Sequence, residues 1–343
     1  MTTQGREIRV AALGGGHNDP SCRFRQRQYF QALRALGIRV TEYLPGMDKY
    51  KGRSWRNGAL ARAPSVLASR FYDAVWLNRE LVAGRETLER YAGSRIAFDV
   101  DDAIWLQGDP GFAASIARKS AVVIAGNQAI ASYFAPYARR IEAIPTTVDT
   151  DRWSPAPARS PNEFIVGWSG TWWNLQFLYE IEDELAAFLS ATPDTKLLVV
   201  CDREPELRRI PSGRLLYRKW SQDDEVDAVR AMDISIMPLA DTEWTRAKCG
   251  LKMLCAMSTG VPVVASPVGV VREILDGPCA GWVAKAGEWA VLLARLHANP
   301  NLRAKMGSAG RERIVERYSM AKHAETLARI FRELSGRRHG PGA

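Results

Sequence analysis

The stretch FDVDDAIW, residues 98–105, places three carboxylates at the end of what is expected to be a buried strand. Asp99, Asp101 and Asp102 could form a metal-binding DxD motif, supply the nucleophile of a phosphatase, or line a cleft that handles a sugar. Because side chains alternate along a strand, Asp99 and Asp101 are expected to point the same way, and their repulsion should raise the pKa of one of them. Asp102 points elsewhere and is the residue expected to cap the following turn.

A second pattern suits a bound diphosphate. In RAKCGLKMLCAMSTGVPVVAS, residues 246–266, a basic loop runs through Gly250 into an amphipathic helix. The first turn of a helix exposes unpaired N–H groups and the positive end of the dipole, so it favours an anion and disfavours lysine. Lys248 and Lys252 nevertheless bracket that turn. We predict that Lys248, Gly250, Leu251 and Lys252 bind a diphosphate, with two solvated lysines as the alternative.

A glycine-rich loop, GGGHNDPSCRFRQ, follows the first expected strand. Gly15 and Gly16 would let the backbone approach a phosphate, although the loop lacks the GxGxxG pattern and a simple glycine turn is the alternative. Arg23 and Arg25 lie just beyond it. Their guanidinium groups suit a phosphate or an acidic acceptor, and both alternatives stay open at this point.

A third site for phosphate oxygens is expected in GWSGTWWN, where a strand ends and a helix follows. Ser169, Gly170 and Thr171 stand at the carboxyl end of that strand. Trp172 and Trp173 are unusual in such a loop. They either pack at a domain interface or offer an aromatic face to a sugar or a base.

Apolar segments of strand length alternate with amphipathic segments along the whole chain. This alternation predicts α/β structure, with parallel sheets covered on both faces. A segment rich in proline, serine and alanine, DTDRWSPAPARSPNE (149–163), interrupts the alternation and is expected to be a linker. Two doubly wound, Rossmann-like domains facing a cleft are therefore predicted, with ligands at the carboxyl ends of the strands. The expected strands include residues 8–13, 38–44, 74–78, 95–100, 121–126, 141–145, 196–202, 214–220, 234–239 and 261–267. Residues 24–37 and 175–189 are expected to form two of the helices.

Composition narrows the class of protein. The chain has 343 residues, of which 46% are hydrophobic and 25% charged, and its net charge is +9, which attracts anions. No basic–aromatic pattern typical of nucleic-acid binding occurs, so no nucleic-acid partner is expected. The five cysteines are scattered without a CxxC motif, which favours reduced thiols and no zinc site. No apolar run is long enough to span a membrane and the N-terminus lacks a signal-peptide pattern, so a cytoplasmic location is expected.

Several stretches together resemble the glycosyltransferases of the GT-B fold, specifically the large retaining group called family 4. AIPTTVDTDRWSP (143–155), KCGLKMLCAMSTGVPVVASPVGVVREIL (248–275) and ERYSMAKHAETLARIFREL (316–334) resemble motifs of that family. PSCRFRQRQY and FDVDDAIW resemble a subgroup with SxRxR, DxDD and KCxxK. The resemblance covers nearly the whole chain.

The resemblance implies an N-terminal acceptor-side domain at 1–155 and a C-terminal nucleotide-sugar domain at 156–317. Residues 318–343 would form a helix returning to the first domain, followed by a disordered tail. It also implies transfer of a sugar from a nucleoside diphosphate to an acceptor hydroxyl with retained configuration, without a metal or other cofactor. Lys252 would stabilise the leaving diphosphate. Asp99 and Asp101 would act on the acceptor side, and the acceptor would also meet Arg23 and Arg25. The partners would be the nucleotide sugar and a glycan or lipid-linked acceptor, with peripheral attachment to the inner face of the membrane.

The sequence departs from the family pattern at two positions. Ala247 and Cys255 stand where family 4 enzymes often carry glutamates that meet the donor sugar and the ribose. Glu273 matches the family's last glutamate and is a further candidate for donor contact, although it could instead cap a helix or pair with a basic neighbour. A catalytically silent subunit that binds a nucleotide sugar or glycan is therefore the main rival interpretation, and a DxD-type phosphatase is a weaker one. The donor base, the sugar and the acceptor stay open.

Overall fold

The computed structural model describes four stretches of the chain: residues 7–44, 54–156, 163–276 and 280–336. They form two compact units. The first unit comprises the described parts of 1–147 and 320–343 together with the short segment 247–249. The second comprises the described parts of 148–246 and 250–319.

Both units are built on strands with largely apolar, β-branched sequences. The strands are β1 (Ile8–Leu13), β2 (Ile38–Tyr43), β3 (Ala74–Asn78), β4 (Ile96–Val100), β5 (Val122–Ala125), β6 (Ile141–Ala143), β7 (Phe164–Ser169), β8 (Thr195–Cys201), β9 (Leu215–Lys219), β10 (Ile234–Met237), β11 (Val263–Ala265) and β12 (Trp282–Val283).

Helices alternate with these strands. They are α1 (Phe30–Ala35), α2 (Trp55–Ser69), α3 (Phe112–Lys119), α4 (Gln128–Phe134), α5 (Leu175–Glu180), α6 (Glu182–Ala191), α7 (Glu225–Arg230), α8 (Glu243–Arg246), α9 (Leu251–Ser258), α10 (Val271–Ile274), α11 (Trp289–His297), α12 (Pro300–Arg313) and α13 (Met320–Leu334).

The first sheet is parallel, with the strand order β2-β1-β3-β4-β5-β6. From β1 the chain continues to β2 on one side of the sheet, and β3 to β6 then extend on the other side of β1. The winding therefore reverses between β1 and β3. Ligands of open parallel sheets bind outside the carboxyl ends of the strands at such a switch point. The helix α13 packs into the core of this unit, where Leu327 and Phe331 are buried near Tyr29 and Trp76.

The second sheet is also parallel, in the order β12-β11-β10-β7-β8-β9. Its switch point lies between β7 and β10. The chain that follows β10 leads through α8 to the N-terminus of α9. The core of the unit includes Phe188, Trp289 and Leu293, which are buried between the sheet and its helices.

The prediction of two doubly wound, parallel α/β domains is confirmed. Local details differ from the sequence prediction in two helices. The segment predicted as one helix over 24–37 begins with a wide turn at Cys22–Gln26 and becomes α1 only at Phe30. The helix predicted over 175–189 breaks at Ile181 into α5 and α6.

Three other expectations concern the connections and the chain ends. Residues 157–162 of the predicted linker and 337–343 of the predicted tail lie outside the described residues. The predicted domain boundaries and the facing of the domains across a cleft stay predictions. None of the described helices has the length and apolar character needed to cross a membrane.

Candidate functional site

A polar network lies at the carboxyl end of the first sheet, at its switch point. Ser21 follows β1, Asn78 and Arg79 follow or end β3, and Asp101 follows β4. The Asp101 carboxylate accepts hydrogen bonds from the Ser21 hydroxyl at 2.7 Å and from Arg79 Nε at 2.6 Å. The Asn78 amide donates to Ser21 Oγ at 2.9 Å. Residues from three strands of the sheet therefore hold one carboxylate in a fixed position.

Asp99 lies in a separate, fully buried ion pair. Arg25 donates to its Oδ1 from Nε at 2.9 Å and from Nη2 at 2.7 Å, and the Trp76 indole donates to Oδ2 at 3.0 Å. The third arm of Arg25, Nη1, donates to the carbonyl of Ile144 at 2.8 Å. Asp99 is 1% exposed and Arg25 3%. The polar atoms of both side chains therefore form their hydrogen bonds inside the first unit.

The two carboxylates have opposite pKa shifts. Burial raises the pKa of Asp99, against the opposing charge and hydrogen bonds of Arg25. Burial would also raise the pKa of Asp101, but the charge and hydrogen bond of Arg79 outweigh it and hold the pKa below its usual value. Asp101 is therefore ionised at neutral pH. The pKa of one of the two aspartates, Asp99, is raised as predicted, but burial is the main cause and the repulsion from Asp101 is a minor one.

This geometry revises several predicted roles. Arg25 is buried and hydrogen-bonded within the unit, which disfavours a direct contact with an acceptor. The same ion pair favours an architectural role for Asp99, so its catalytic assignment stays a prediction that the geometry opposes. Arg23 is also buried, with its guanidinium 5.2 Å from the Phe24 ring centroid. Asp102 accepts a hydrogen bond from the N–H of the next residue, Ala103, at 2.9 Å, but no side chain caps the short turn Ile104–Leu106, so the expected cap stays a prediction.

The glycine loop after β1 is crowded by its own side chains. The Gly15 N–H donates to Cys22 Sγ, and a Cβ at Gly15 would lie 2.0 Å from Asp19 Oδ2. That carboxylate oxygen is buried, and no hydrogen-bond partner to it is found in the described part of the chain. A carboxylate beside the loop repels a phosphate. The predicted diphosphate contact at Gly15 is therefore disfavoured, whereas Gly16 has open space around its Cα.

The segment 247–249 lies against this end of the first sheet. The Asn127 amide, after β5, donates to the Ala247 carbonyl at 2.7 Å, and the Cys249 thiol lies 3.4 Å from the Asp101 carbonyl oxygen. Burial lowers the pKa of Lys248, while the nearby charge of Asp102 opposes that shift. The ammonium group of Lys248, which is predicted to bind phosphate, therefore lies close enough to the DVDD loop to interact with its charges.

In the second unit, the loop after β7 carries an aromatic stack. Trp172 and Trp173 have ring centroids 3.9 Å apart, and the Arg203 guanidinium lies 3.9 Å from the Trp172 centroid. The backbone N–H of Trp172 donates to Asp202 Oδ1 at 2.8 Å. Trp173 is 63% exposed. The tryptophans thus stack on each other at the carboxyl end of the sheet.

The small residues before that stack stand at the switch point of the second sheet. Ser169 ends β7, and Gly170 N–H donates to the Val200 carbonyl. A Cβ at Gly170 would lie 2.4 Å from the ring of Trp168, so the position requires glycine. Thr171 is exposed, and its hydroxyl accepts from Asn174 at 2.8 Å. The amide of Gly170 is therefore unavailable to a phosphate.

Helix α9 begins in the manner that the sequence predicts. Gly250 precedes it with φ +69°, a conformation that favours glycine, and a Cβ there would also lie 2.8 Å from Ile274. No side chain caps the helix and no acidic residue lies in its first turn. Leu251 and Lys252 open the helix, both half-buried. The positive end of the helix dipole and the Lys252 ammonium therefore belong to one end of one helix.

The remaining candidates are placed as follows. Glu273, in α10, is exposed, accepts from the Tyr318 hydroxyl at 3.5 Å, and has its carbonyl bonded to Arg313. Arg313 therefore contacts the backbone of Glu273 and not its carboxylate, so the roles predicted for this side chain stay predictions. Ala247 and Cys255 are buried.

Sequence reasoning missed three residues of the first network. Ser21 and Arg79 hold Asp101, and Asn78 ends β3 in the same network. Arg79 has φ +54°, which is uncommon for a residue other than glycine. The polar run Asn78-Arg79-Glu80 at the end of an apolar strand is the sequence feature that could have indicated Asn78 and Arg79. No group of three or more potential metal-ligating side chains occurs in the described stretches.

Comparisons with known proteins find similarity to glycosyltransferases in part of the sequence and in the fold. Residues 163–299, most of the second unit, match the family model described as glycosyl transferases group 1. The phosphatidyl-myo-inositol mannosyltransferase of Mycobacterium leprae is 30% identical over 157 residues, which are 43% of this chain and 41% of that protein. The chain spans less than half the length of the curated relatives it matches.

Solved structures share the fold over nearly the whole chain. Sucrose-phosphate synthase of Thermosynechococcus elongatus has a TM-score of 0.71 at 16% identity, covering 96% of this chain and 100% of its own. HepE of Anabaena, solved with UDP, has a TM-score of 0.66 at 15% identity, covering 95% and 100%. The likeness shows the fold, which is GT-B. The resemblance to family 4 glycosyltransferases of this fold is confirmed.

Proposed function

We propose that the protein is a glycosyltransferase that moves a sugar from a nucleoside diphosphate to an acceptor hydroxyl. The match of residues 163–299 to glycosyl transferases group 1 carries this proposal. We further propose retention of configuration, independence of metal ions and a role in bacterial cell-surface polysaccharide or glycoconjugate synthesis. The family resemblance motivates these finer statements.

The difficult step in such a reaction is departure of the diphosphate, because negative charge builds up on its oxygens. The N-terminus of α9 and Lys252 would stabilise that charge as it develops. Lys248, four residues earlier in the chain, would add a second positive charge. No acidic side chain in the first turn of α9 weakens this effect. The helix thus supplies what the leaving group needs without a metal.

The acceptor must lose a proton during transfer. Asp101 is held by Ser21 and Arg79, and its lowered pKa makes it a weak base. We therefore propose that a leaving diphosphate oxygen takes the proton, while Asp101 orients the acceptor hydroxyl by accepting a hydrogen bond. Asp99 would act at a distance by fixing Arg25 and the end of β4.

A silent binding subunit is the second candidate, because Ala247 and Cys255 replace family glutamates and are buried. Nucleotide affinity without turnover would favour it. A phosphatase is disfavoured by geometry. Asp99, the first aspartate of the motif and hence its candidate nucleophile, has both oxygens engaged by Arg25 and Trp76 inside the unit.

Two kinds of partner follow from the proposal. The donor is a nucleotide sugar, and HepE, solved with UDP, is one structural neighbour. The acceptor is a glycan or a lipid-linked hydroxyl, which the name of the mannosyltransferase relative suggests. Attachment to the periphery of the cytoplasmic membrane would bring the protein to a lipid-linked acceptor.

The test begins with a thermal-shift screen of UDP, GDP, dTDP and ADP, because a ligand that binds the native state raises the melting temperature. Sugars of the stabilising nucleotide are then offered with glycan and lipid-linked acceptors, and the product's anomeric configuration is read by NMR. Transfer with retained configuration is expected. Nucleotide binding without consumption of any donor would support the silent subunit instead, and inversion would contradict the proposed stereochemistry.

A further inference from the structure

The loop that follows β7 presents a tryptophan ring at the surface of the second unit. Trp173 is 63% exposed, and it stacks on Trp172 with ring centroids 3.9 Å apart and an interplanar angle of 29°. The Arg203 guanidinium also lies 3.9 Å from the Trp172 centroid, so it must occupy the opposite face of that ring. We call these three residues the indole stack. One face of Trp173 lies against Trp172, and the other is the outer face of the stack.

Contacts within the second unit hold the indole stack in place. Trp172 packs against the hydrophobic core of the unit, and its backbone N–H is bonded to Asp202. The carbonyl of Trp173 accepts a hydrogen bond from the Gln176 amide at 2.7 Å. Single exposed apolar side chains are common on protein surfaces. A fixed pair of indoles at the carboxyl end of a strand is different, because ligands of parallel sheets bind there and an ordered site loses little entropy on binding.

Neutral polar groups lie next to the indole stack in the chain. Thr171 and Gln176 are exposed and Asn174 is half-buried. Their hydroxyl and amide groups can both donate and accept hydrogen bonds, as the hydroxyl groups of a sugar also do. These side chains therefore suit a ligand that carries many hydroxyl groups.

The charges in contact with the indole stack do not favour an anion. Asp202 bonds to the backbone of Trp172, and Arg203 lies on the ring of the same residue, so one negative charge accompanies one positive charge. Arg203 is also separated from the outer face of Trp173 by the two rings. A phosphate beside that outer face would gain little from the guanidinium, so a neutral ligand is favoured.

We propose that the outer face of Trp173 binds a pyranose ring of a neutral glycan. The C–H groups on one face of such a ring are weakly positive and pack against the negative face of an indole. The hydroxyl groups at the edge of the sugar would bond to Thr171, Asn174 and Gln176. A nucleotide base also stacks on an indole, but its phosphates would gain little from Arg203.

A glycan in this position lies at the edge of the sheet that is proposed to serve the diphosphate. The strands β7 and β10 are neighbours, and the chain that follows β10 leads to α9. The binding itself does not rest on the proposed sugar transfer and is measured without an activity assay. Either proposal can therefore fail while the other stands.

The test is an NMR titration of the ¹⁵N-labelled full chain with mannotetraose and with maltotetraose, followed through the indole N–H signals. Saturable shifts of the Trp172 and Trp173 signals are expected with at least one of them, with an affinity that changes little with salt. Trp173→Ala should weaken binding about tenfold or more, because the stacking face and its buried area are lost. Trp173→Tyr keeps an aromatic face and should bind within roughly threefold of the unchanged protein.

Trp55→Ala is the matched control, because Trp55 is 47% exposed on α2 of the first unit. It should bind the tetrasaccharides as the unchanged protein does, and all variants should keep their melting temperatures. The proposal is overturned if neither tetrasaccharide binds, or if Trp173→Ala binds them as well as the control does. Shifts of the same signals by UMP or GMP, with none by the tetrasaccharides, would assign the indole stack to a nucleotide base and overturn it as well.

Discussion

A substitution in the buried ion pair of Arg25 and Asp99 can show whether Asp99 has an architectural or a catalytic role. Asp99→Asn keeps the shape of the side chain and removes its charge. The amide oxygen can still accept from Arg25, but its NH₂ group then faces the indole N–H of Trp76, so two donors meet. The Arg25 charge is left without its partner in the interior. Breaking a buried pair in this way costs about 3–5 kcal/mol in the free energy of unfolding.

Urea denaturation followed by tryptophan fluorescence measures this loss, since Trp76 contacts the pair. Asp109→Asn is the control within the same unit, because it breaks the exposed pair with Arg85, whose side chains are 35% and 50% exposed. That pair should contribute less than about 1 kcal/mol. Replacing both Arg25 and Asp99 with Met and Leu should restore much of the stability. If Asp99→Asn is as stable as the control and abolishes sugar transfer, Asp99 takes part in the chemistry and our reasoning is wrong.

Three further predictions concern the site. Because the pKa of Lys248 is lowered by burial, its charge is lost at a lower pH than for an ordinary lysine, whose pKa is 10.5. Calorimetric affinity for the nucleoside diphosphate should therefore weaken as pH rises toward that value, and Lys248→Gln should flatten the profile; an unchanged profile in the variant would exclude Lys248. Transfer should persist in excess EDTA, and a complete loss that Mn²⁺ reverses would restore the metal interpretation of DVDD. Asp101→Asn should lower kcat by roughly 10² or more and alter nucleotide affinity little, whereas equal losses in both would contradict an acceptor-side role.

The fold followed from local patterns. Strands such as IAFDV are continuous apolar runs because parallel strands are buried on both faces, and their spacing with helices sets the doubly wound topology. The N-terminus of α9 was also predictable, since Gly250 and the lysines around it are adjacent in the chain. The two sheets and the start of this helix could therefore be predicted without knowledge of long-range contacts.

The partners of the carboxylates were not predictable in the same way. Arg25 and Asp99 are separated by 74 positions, and nothing local shows that the first loop places a guanidinium beside β4. Arg79 depends on an uncommon backbone conformation at the end of β3. The sequence also could not show that burial, more than repulsion, raises the pKa of Asp99 while Arg79 lowers that of Asp101, because the energy of an ionised group depends on neighbours that only the tertiary structure supplies.

The central claim is that the N-terminus of α9, with Lys252, stabilises the leaving diphosphate of a nucleotide sugar. The most direct measurement compares the turnover of sugar transfer in the unchanged protein, in Lys252→Ala, and in Lys305→Ala, which removes an exposed lysine from α12 of the same unit. We expect Lys252→Ala to lower turnover by roughly 10² to 10³ with an unchanged melting temperature, and Lys305→Ala to have no effect. Equal turnover in all three proteins would contradict the account.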